Sequence, residues 1–268
     1  MQVVQLRVYS HAVMQRDRGL WVPGCRLMEH WYNHALAVAT DAALKAGAIL
    51  RKAFHRPGGP SGSGGHCPAD ATAESVIRET LLAAFPGCGY LGEETDGRRG
   101  CDGARHIWLV DPKDGTSSFR RGMRGSAVSI ALLREGVPVL GVVYAFAASD
   151  DEGDLFAWAE GCSFTRPRLP AESPLWSNSP EAQKIVLLSQ DADRNPEANL
   201  RCIASMRYRA AASIAYRLVL VAAREGVAAV SLNAPCCWDY AAGRALIRAV
   251  GGELVDQEGR RVQYSRDG

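Results

Sequence analysis

Residues 109–119 read LVDPKDGTSSF, and two of them, Asp111 and Asp114, are carboxylates three positions apart at the end of the apolar run 107–110. A strand ending in a tight turn can present both at one rim, with Pro112 stiffening the turn. Two like charges so close repel unless a cation lies between them. A hard divalent ion with oxygen ligands, Mg²⁺ above all, suits such a pair. Gly115, Thr116, Ser117 and Ser118 follow at once, offering backbone N–H groups and hydroxyls. A helix starting there would attract an anion such as phosphate at its N-terminus. Metal beside phosphate is the chemistry of phosphoester cleavage. Taken alone, this stretch is better explained as a polar β-turn with Ser and Thr capping a helix.

Two further stretches bear on the choice. LGEET (91–95) sets Glu93 and Glu94 after a short apolar run, and NAPCCWDYAAGRALIRAVGGELVD (233–256) puts Asp239 at an expected helix N-cap. Ala241, Ala242 and Gly243 behind Asp239 allow that helix to pack closely. Singly, these are a solvated turn and a cap; their order along the chain ties them to the first motif.

The elements that must position these groups follow from periodicity. Apolar residues at helical spacing predict a helix over 31–54, and RPGGPSGSGGHCP (56–68) breaks it. Asp70 is a candidate cap for a second helix, 71–85, ended by Pro86-Gly87. Strands are expected at 89–91, 106–110, 127–133, 137–147 and 155–159. After a Pro-rich connection (166–174) come a strand at 185–188, helices at 196–206 and 212–224, a strand at 227–232, a helix at 239–250 and strands at 252–256 and 261–264. Helices, then antiparallel strands, then alternation predict an α+β, mixed α/β architecture in two subdomains, roughly 30–150 and 151–268. Residues 1–29 lack periodicity and read as a poorly ordered extension, as an upstream start before Met28 would leave.

Composition narrows the partners. The 268 residues carry a net charge of +2 and are 47% hydrophobic, which favours neither a nucleic-acid polymer nor a membrane surface. The eight cysteines form no CxxC pair, so structural zinc is not expected, and reduced thiols in a cytoplasmic protein are. No run approaches membrane-span length, and no GxGxxG follows a strand, which sets aside a dinucleotide-binding oxidoreductase.

GEE (92–94), DPKDGTSSF (111–119) and WDYAAGRALIRAVGG (238–252), with the helical stretches 35–50 and 69–87, resemble the inositol monophosphatase family of Mg²⁺-dependent, lithium-sensitive phosphatases. The likeness runs from about residue 31 to 264. It implies a layered αβαβα sandwich, a small phosphorylated metabolite as substrate and room for a homodimer. Members of that family often continue beyond the position of Gly268. Glu93, Asp111 and the carbonyl of Lys113 would bind one metal ion, and Asp111, Asp114 and Asp239 a second. A third, weaker ion would lie near Glu93 and Asp70. Glu93 and Thr116 would orient and deprotonate the attacking water, with Asp111 between them as a catalytic ligand. Gly115 and Thr116 would hold the phosphate, while Asp114, Asp239 and Ser213 line the substrate.

Departures from the family pattern concern the substrate. Lys113 stands where an apolar residue is usual, and Cys67 where a threonine is common. Leu232 occupies the position of a glutamate that contacts a substrate hydroxyl in inositol-cleaving members, and Ala212-Ser213-Ile214-Ala215 replaces a Gly-Ser/Thr-Ala-Ala segment. Arg120, Arg121 and Arg124 could meet a second anionic group. Three readings follow: an inositol-phosphatase-like phosphomonoesterase, a 3′(2′),5′-bisphosphate nucleotidase, and a non-catalytic anion-binding protein of the same fold.

Overall fold

The structure, a computed structural model, describes residues 4–7, 23–60, 67–95, 103–148, 151–167, 184–203, 206–231 and 235–264, with backbone alone for 4–7 and 23–27. Its elements run β1 (Val4–Arg7), α1 (Pro23–Phe54), α2 (Pro68–Ala84), β2 (Gly89–Gly92), β3 (His106–Asp114), α3 (Thr116–Arg120), β4 (Ala127–Arg134), β5 (Val137–Ala145) and β6 (Asp154–Ala159). They continue with β7 (Ile185–Ser189), α4 (Pro196–Cys202), β8 (Arg207–Ala211), α5 (Ile214–Ala222), β9 (Ala228–Ser231), α6 (Cys237–Ala249) and β10 (Glu253–Val255). A 3₁₀ turn, Gln190–Arg194, precedes α4. The mixed α/β class expected from the alternation is the observed one.

The first sheet has the order β2-β3-β4-β5-β6. Its β2–β3 pair is parallel and its other pairs are antiparallel. Helices α1 and α2 pack on one face and α5 and α6 on the other. With both faces covered, no strand can afford the polar alternation of a half-solvated sheet. Every residue from Ala127 to Leu133 is accordingly buried. The second sheet has the order β10-β1-β9-β7-β8. Strand β7 pairs parallel with β8 and β9, and α5 packs against this sheet as well. Helix α6 lies so close on the first sheet that a Cβ at Gly141 would come 2.4 Å from the Ala242 carbonyl oxygen. The small residues noted behind Asp239 serve this approach; Ala241 and Ala242 are fully buried.

Several elements differ from the periodicity reading. Helix α1 begins at Pro23 rather than 31, with proline in the first turn, where its missing N–H costs nothing. Residues 4–7, within the expected extension, form β1 between β9 and β10. The helix expected over 196–206 ends at Cys202 as α4, and strand β8 fills the gap left between the helices expected over 196–206 and 212–224. The strand expected at 261–264 reduces to one bridge, Val255 to Arg261. Among the described residues no helix is long and apolar enough to cross a membrane.

Candidate metal and phosphate site

The parallel pairing of β2 with β3 sets Gly92 opposite Val110, so both strands deliver their next residues to one edge. Those residues are Glu93, whose N–H donates to the Val110 carbonyl at 3.1 Å, and Asp111. Strand β3 runs on through the motif to Asp114, with a register irregularity between Asp111 and Asp114. The motif was expected to be a turn closing the strand; it is the strand's bulged end. Asp111 is 2% exposed and accepts the Lys113 N–H at 2.7 Å, a local bond that shapes the bulge.

Asp239 arrives from the opposite direction, on the first turn of α6. It had been expected at the N-cap, as Asp70 had on α2. In both helices a cysteine holds the N-cap, and the aspartate three residues on reaches back to its N–H. Asp70 accepts from Cys67 at 3.0 Å and Asp239 from Cys236 at 2.8 Å. Asp114 docks on a third helix start. Its Oδ2 accepts the Ser213 hydroxyl at 2.7 Å and the Ala215 N–H at 2.8 Å, at the N-terminus of α5. Each carboxylate thus faces the positive end of a helix dipole.

That support is outweighed. Burial raises the Asp111 carboxyl well above the ordinary aspartate range, and the charges of Glu93, Asp114 and Asp239 raise it further. Burial also lifts Asp114, against the pull of Ser213, Ala215 and Arg217. Glu93 is raised by burial, with Glu94, Asp114 and Asp70 adding to it. Asp239 is pushed up to about 8, by burial first and then by Asp114. Asp111 lies within hydrogen-bonding reach of both Glu93 and Asp239. Ionised carboxylates can share such contacts only through a proton or a cation. Among the described residues no three His, Cys, Asp or Glu side chains close into a finished cage; the acids meet pairwise around Asp111. An all-oxygen, mutually repelling set, with Asp111 and Asp114 buried, Asp239 half-buried and Glu93 exposed, is the donor chemistry of Mg²⁺, and the residues present fit that ion.

Beside the carboxylates, Gly115 adopts φ +97°, and a Cβ there would press on Ala212 and Ser126 at 3.1 Å. It caps α3 with no side-chain cap bond, and its carbonyl accepts the Ser118 and Phe119 N–H groups, each at 3.1 Å. The Thr116 hydroxyl donates to the Lys113 carbonyl at 3.1 Å, and Ser126 donates to the Gly115 carbonyl at 3.0 Å. Glu93, Asp111, Asp114, Gly115, Thr116, Ser213 and Asp239 are therefore brought together, with Ser213 bound to Asp114 by its hydroxyl. Asp70 stands on the Lys113 ammonium. Of the arginines, Arg124 holds Asp151 and the Ala147 carbonyl, and Arg121 bonds Ser118 and the Ser117 carbonyl. Arg120 is exposed. Leu232 lies outside the described residues.

Two residues that the sequence reading passed over support the site. Glu74 is fully buried and takes the Glu94 N–H at 2.7 Å and the Thr95 hydroxyl, pinning the loop that carries Glu93. A Cβ at Gly92 would come 2.2 Å from Glu74 Oε1, so this glycine is where the carboxylate sits. The signal was present, because Glu74 falls one helical turn after Asp70 and shares its face. Arg217, 2% exposed, donates to the Ala211 and Ala212 carbonyls at 2.6 and 3.0 Å. Burial lowers its pKa to about 10, and its charge opposes that of Asp114.

A model described as the inositol monophosphatase family matches residues 31–268. An inositol-1-monophosphatase of Rhizobium meliloti is 35% identical over 199 residues, 71% of each chain. A histidinol-phosphatase of Chlorobaculum parvum is 32% identical over 206 residues, 75% of each. The inositol monophosphatase structure from Anabaena (Nostoc) sp. PCC 7120 superposes with a TM-score of 0.65 at 28% identity, over 85% of both chains. Relatives at near-equal identity thus carry different substrates in their names.

Proposed function

The chain belongs to the inositol monophosphatase family of metal-dependent phosphomonoesterases, and on that premise we propose that it hydrolyses a small phosphorylated metabolite at the Asp111 cluster. The observation that carries this reading is Asp111 itself: buried, touching Glu93 and Asp239, and raised by three neighbouring acids. Glu93, Asp111, Asp114, Asp239 and the Lys113 carbonyl would hold Mg²⁺, as two ions. When bound, Mg²⁺ supplies neutralisation of the phosphoryl oxygens, an acidified water and stabilisation of the leaving alkoxide.

The chain's own residues do the rest. The N–H groups of Gly115 and Thr116 orient the phosphate at the start of α3. The Thr116 hydroxyl spends its proton on the Lys113 carbonyl, which leaves its lone pairs free to accept from the attacking water. Glu93, on a loop held by Glu74, takes the water's proton. Water then enters in line at phosphorus while the P–O bond to the alcohol breaks. The departing alkoxide takes a proton from solvent water, Glu93 returns its own to solvent, and the products are inorganic phosphate and the alcohol. No His or Cys nucleophile is needed.

Within this class, inositol 1-phosphate, histidinol phosphate and 3′-phosphoadenosine 5′-phosphate form the discriminating panel, assayed by phosphate release with and without Mg²⁺ and lithium. Arg121 and Arg124 are engaged within the protein, which withdraws the main support for a second anionic subsite and favours a substrate with one phosphate. Asp111→Asn should abolish nearly all Mg²⁺-dependent turnover and the thermal shift with Mg²⁺. Unchanged turnover would remove Asp111 from the mechanism, and release from none of the three substrates would rule out all three as the metabolite.

A further inference from the structure

Lys113 lies inside the DPKDGT motif, and its side chain has no counterpart in the reading of that motif as a set of oxygen donors. Its ammonium is wholly buried. It lies 2.7 Å from Asp70 Oδ1, donates to Asp70 Oδ2 at 2.8 Å, and sits 4.1 Å from the centre of the Phe119 ring. A buried ammonium requires a counter-charge, and a ring face adds a further electrostatic contact. Both are supplied here. The other polar groups of the residue are engaged as well: its N–H by Asp111 and its carbonyl by the Thr116 hydroxyl.

Asp70 in turn belongs to the acidic group, because its charge raises the Glu93 carboxyl. The sequence-based expectation was a weak additional ion at Asp70. A divalent ion bound there would need an Asp70 oxygen at about 2.1 Å. The ammonium hydrogen-bonds Oδ2 and lies 2.7 Å from Oδ1, which has no hydrogen-bond partner of its own; a second cation on that oxygen would be repelled by the first.

We propose that the Lys113 ammonium is a tethered cation that takes Asp70 out of the metal-binding set. The chain then binds one divalent ion fewer than it would with an apolar residue at position 113. This rests on the Mg²⁺-dependent reading above. A lysine suits the role, being a compact charge on a flexible stem. It is present at every Mg²⁺ concentration, so the requirement for the metal saturates without a low-affinity phase.

The test is Mg²⁺ binding to the full chain by titration calorimetry, with thermal melts across the same concentrations. Asp70→Asn in the otherwise unaltered chain is expected to leave the number of bound ions unchanged. Lys113→Met is expected to take up one additional, weaker Mg²⁺ and to gain more thermal stability from millimolar Mg²⁺ than the parent. The double variant Lys113→Met/Asp70→Asn should return to the parental number. Loss of an ion in Asp70→Asn overturns the proposal, as does equal uptake by Lys113→Met and the parent. Failure of Lys113→Met to fold even in Mg²⁺ also overturns it, since that outcome marks a purely structural ion pair. The parent chain binding no Mg²⁺ at all would instead refute the proposed function.

Discussion

Replacing a site carboxylate should stabilise the metal-free protein, and Asp239→Asn is the most revealing case. An aspartate raised from 3.8 to about 8 contributes stability below pH 4 and loses it as the pH climbs through the folded-state value near 8. At about 1.4 kcal/mol per pH unit, this gap puts a ceiling of ~5 kcal/mol on the cost of keeping Asp239 folded at pH 7.5. Asp111 and Asp114 share that cost and relax when the charge goes, so roughly half, on the order of 2–3 kcal/mol, should return. Asparagine keeps an oxygen for the Cys236 N–H, so the cap of α6 survives. For a chain of this size the thermal midpoint should rise by about 5–10 °C in chelator. Saturating Mg²⁺ should reverse the order, stabilising the parent more than the variant. Urea unfolding at pH 7.5, with chelator and with Mg²⁺, measures both arms. A variant no more stable than the parent in chelator would refute the reasoning, because the acids would then not be repelling one another in the fold.

The same electrostatics make the metal-free thermal midpoint fall between pH 5 and 8, since Glu93, Asp111, Asp114 and Asp239 are all raised; Mg²⁺ should flatten the profile. Ser213→Ala removes the hydroxyl that donates to Asp114 and accepts the Tyr216 N–H. It should cost about 2–4 kcal/mol by urea unfolding, combining a lost cap with a bond to a charged group. Gly92→Ala must push Glu74 off the loop that holds Glu93, and kcat should fall about a hundredfold with the far-ultraviolet spectrum retained. Gly141→Ala drives a methyl into the Ala242 carbonyl, and should cost about 1–3 kcal/mol by the same unfolding assay.

How much was legible in the sequence depends on how far each residue's partner lies along the chain. The apolar runs of β3 to β6 were readable because a sheet buried on both faces demands them continuously. The end of β3 was misread because its polar residues look like a turn, while the register with β4 that keeps it a strand is absent from any local pattern. Asp70 and Asp239 were seen as helix-start residues but placed three positions early. The reciprocal bond between N-cap and third residue reads alike from either end, and a cysteine at the cap masks it. Strands β1 and β8 are four and five residues long, too short for a period to declare itself. Ser213 on Asp114 spans 99 residues and Lys113 on Asp70 spans 43. Nothing in either neighbourhood of sequence announces those pairs.

Their common logic is electrostatic. A fold that gathers Glu93, Asp111, Asp114 and Asp239 at one site, with Asp111 and Asp114 buried, must hold together whether or not a metal ion is bound. Helix starts supply part of the answer. Asp239 sits on the first turn of α6, Asp70 on that of α2, and Asp114 takes the Ala215 N–H at the head of α5. Fixed dipoles of this kind offset a carboxylate by at most about 2 kcal/mol each, less than burial and repulsion cost here, which is why the acids stay raised. Full cations do more, and the chain places two. Arg217 is buried where its charge acts on Asp114, and Lys113 lies on Asp70. Asp111, like Glu93, has neither a helix start nor a side-chain cation of its own. It is the buried one of the two, held by the Lys113 N–H and within hydrogen-bonding reach of both Glu93 and Asp239. It is therefore the carboxylate with most to gain from a divalent ion, and its neighbours are held so that the gain is concentrated there.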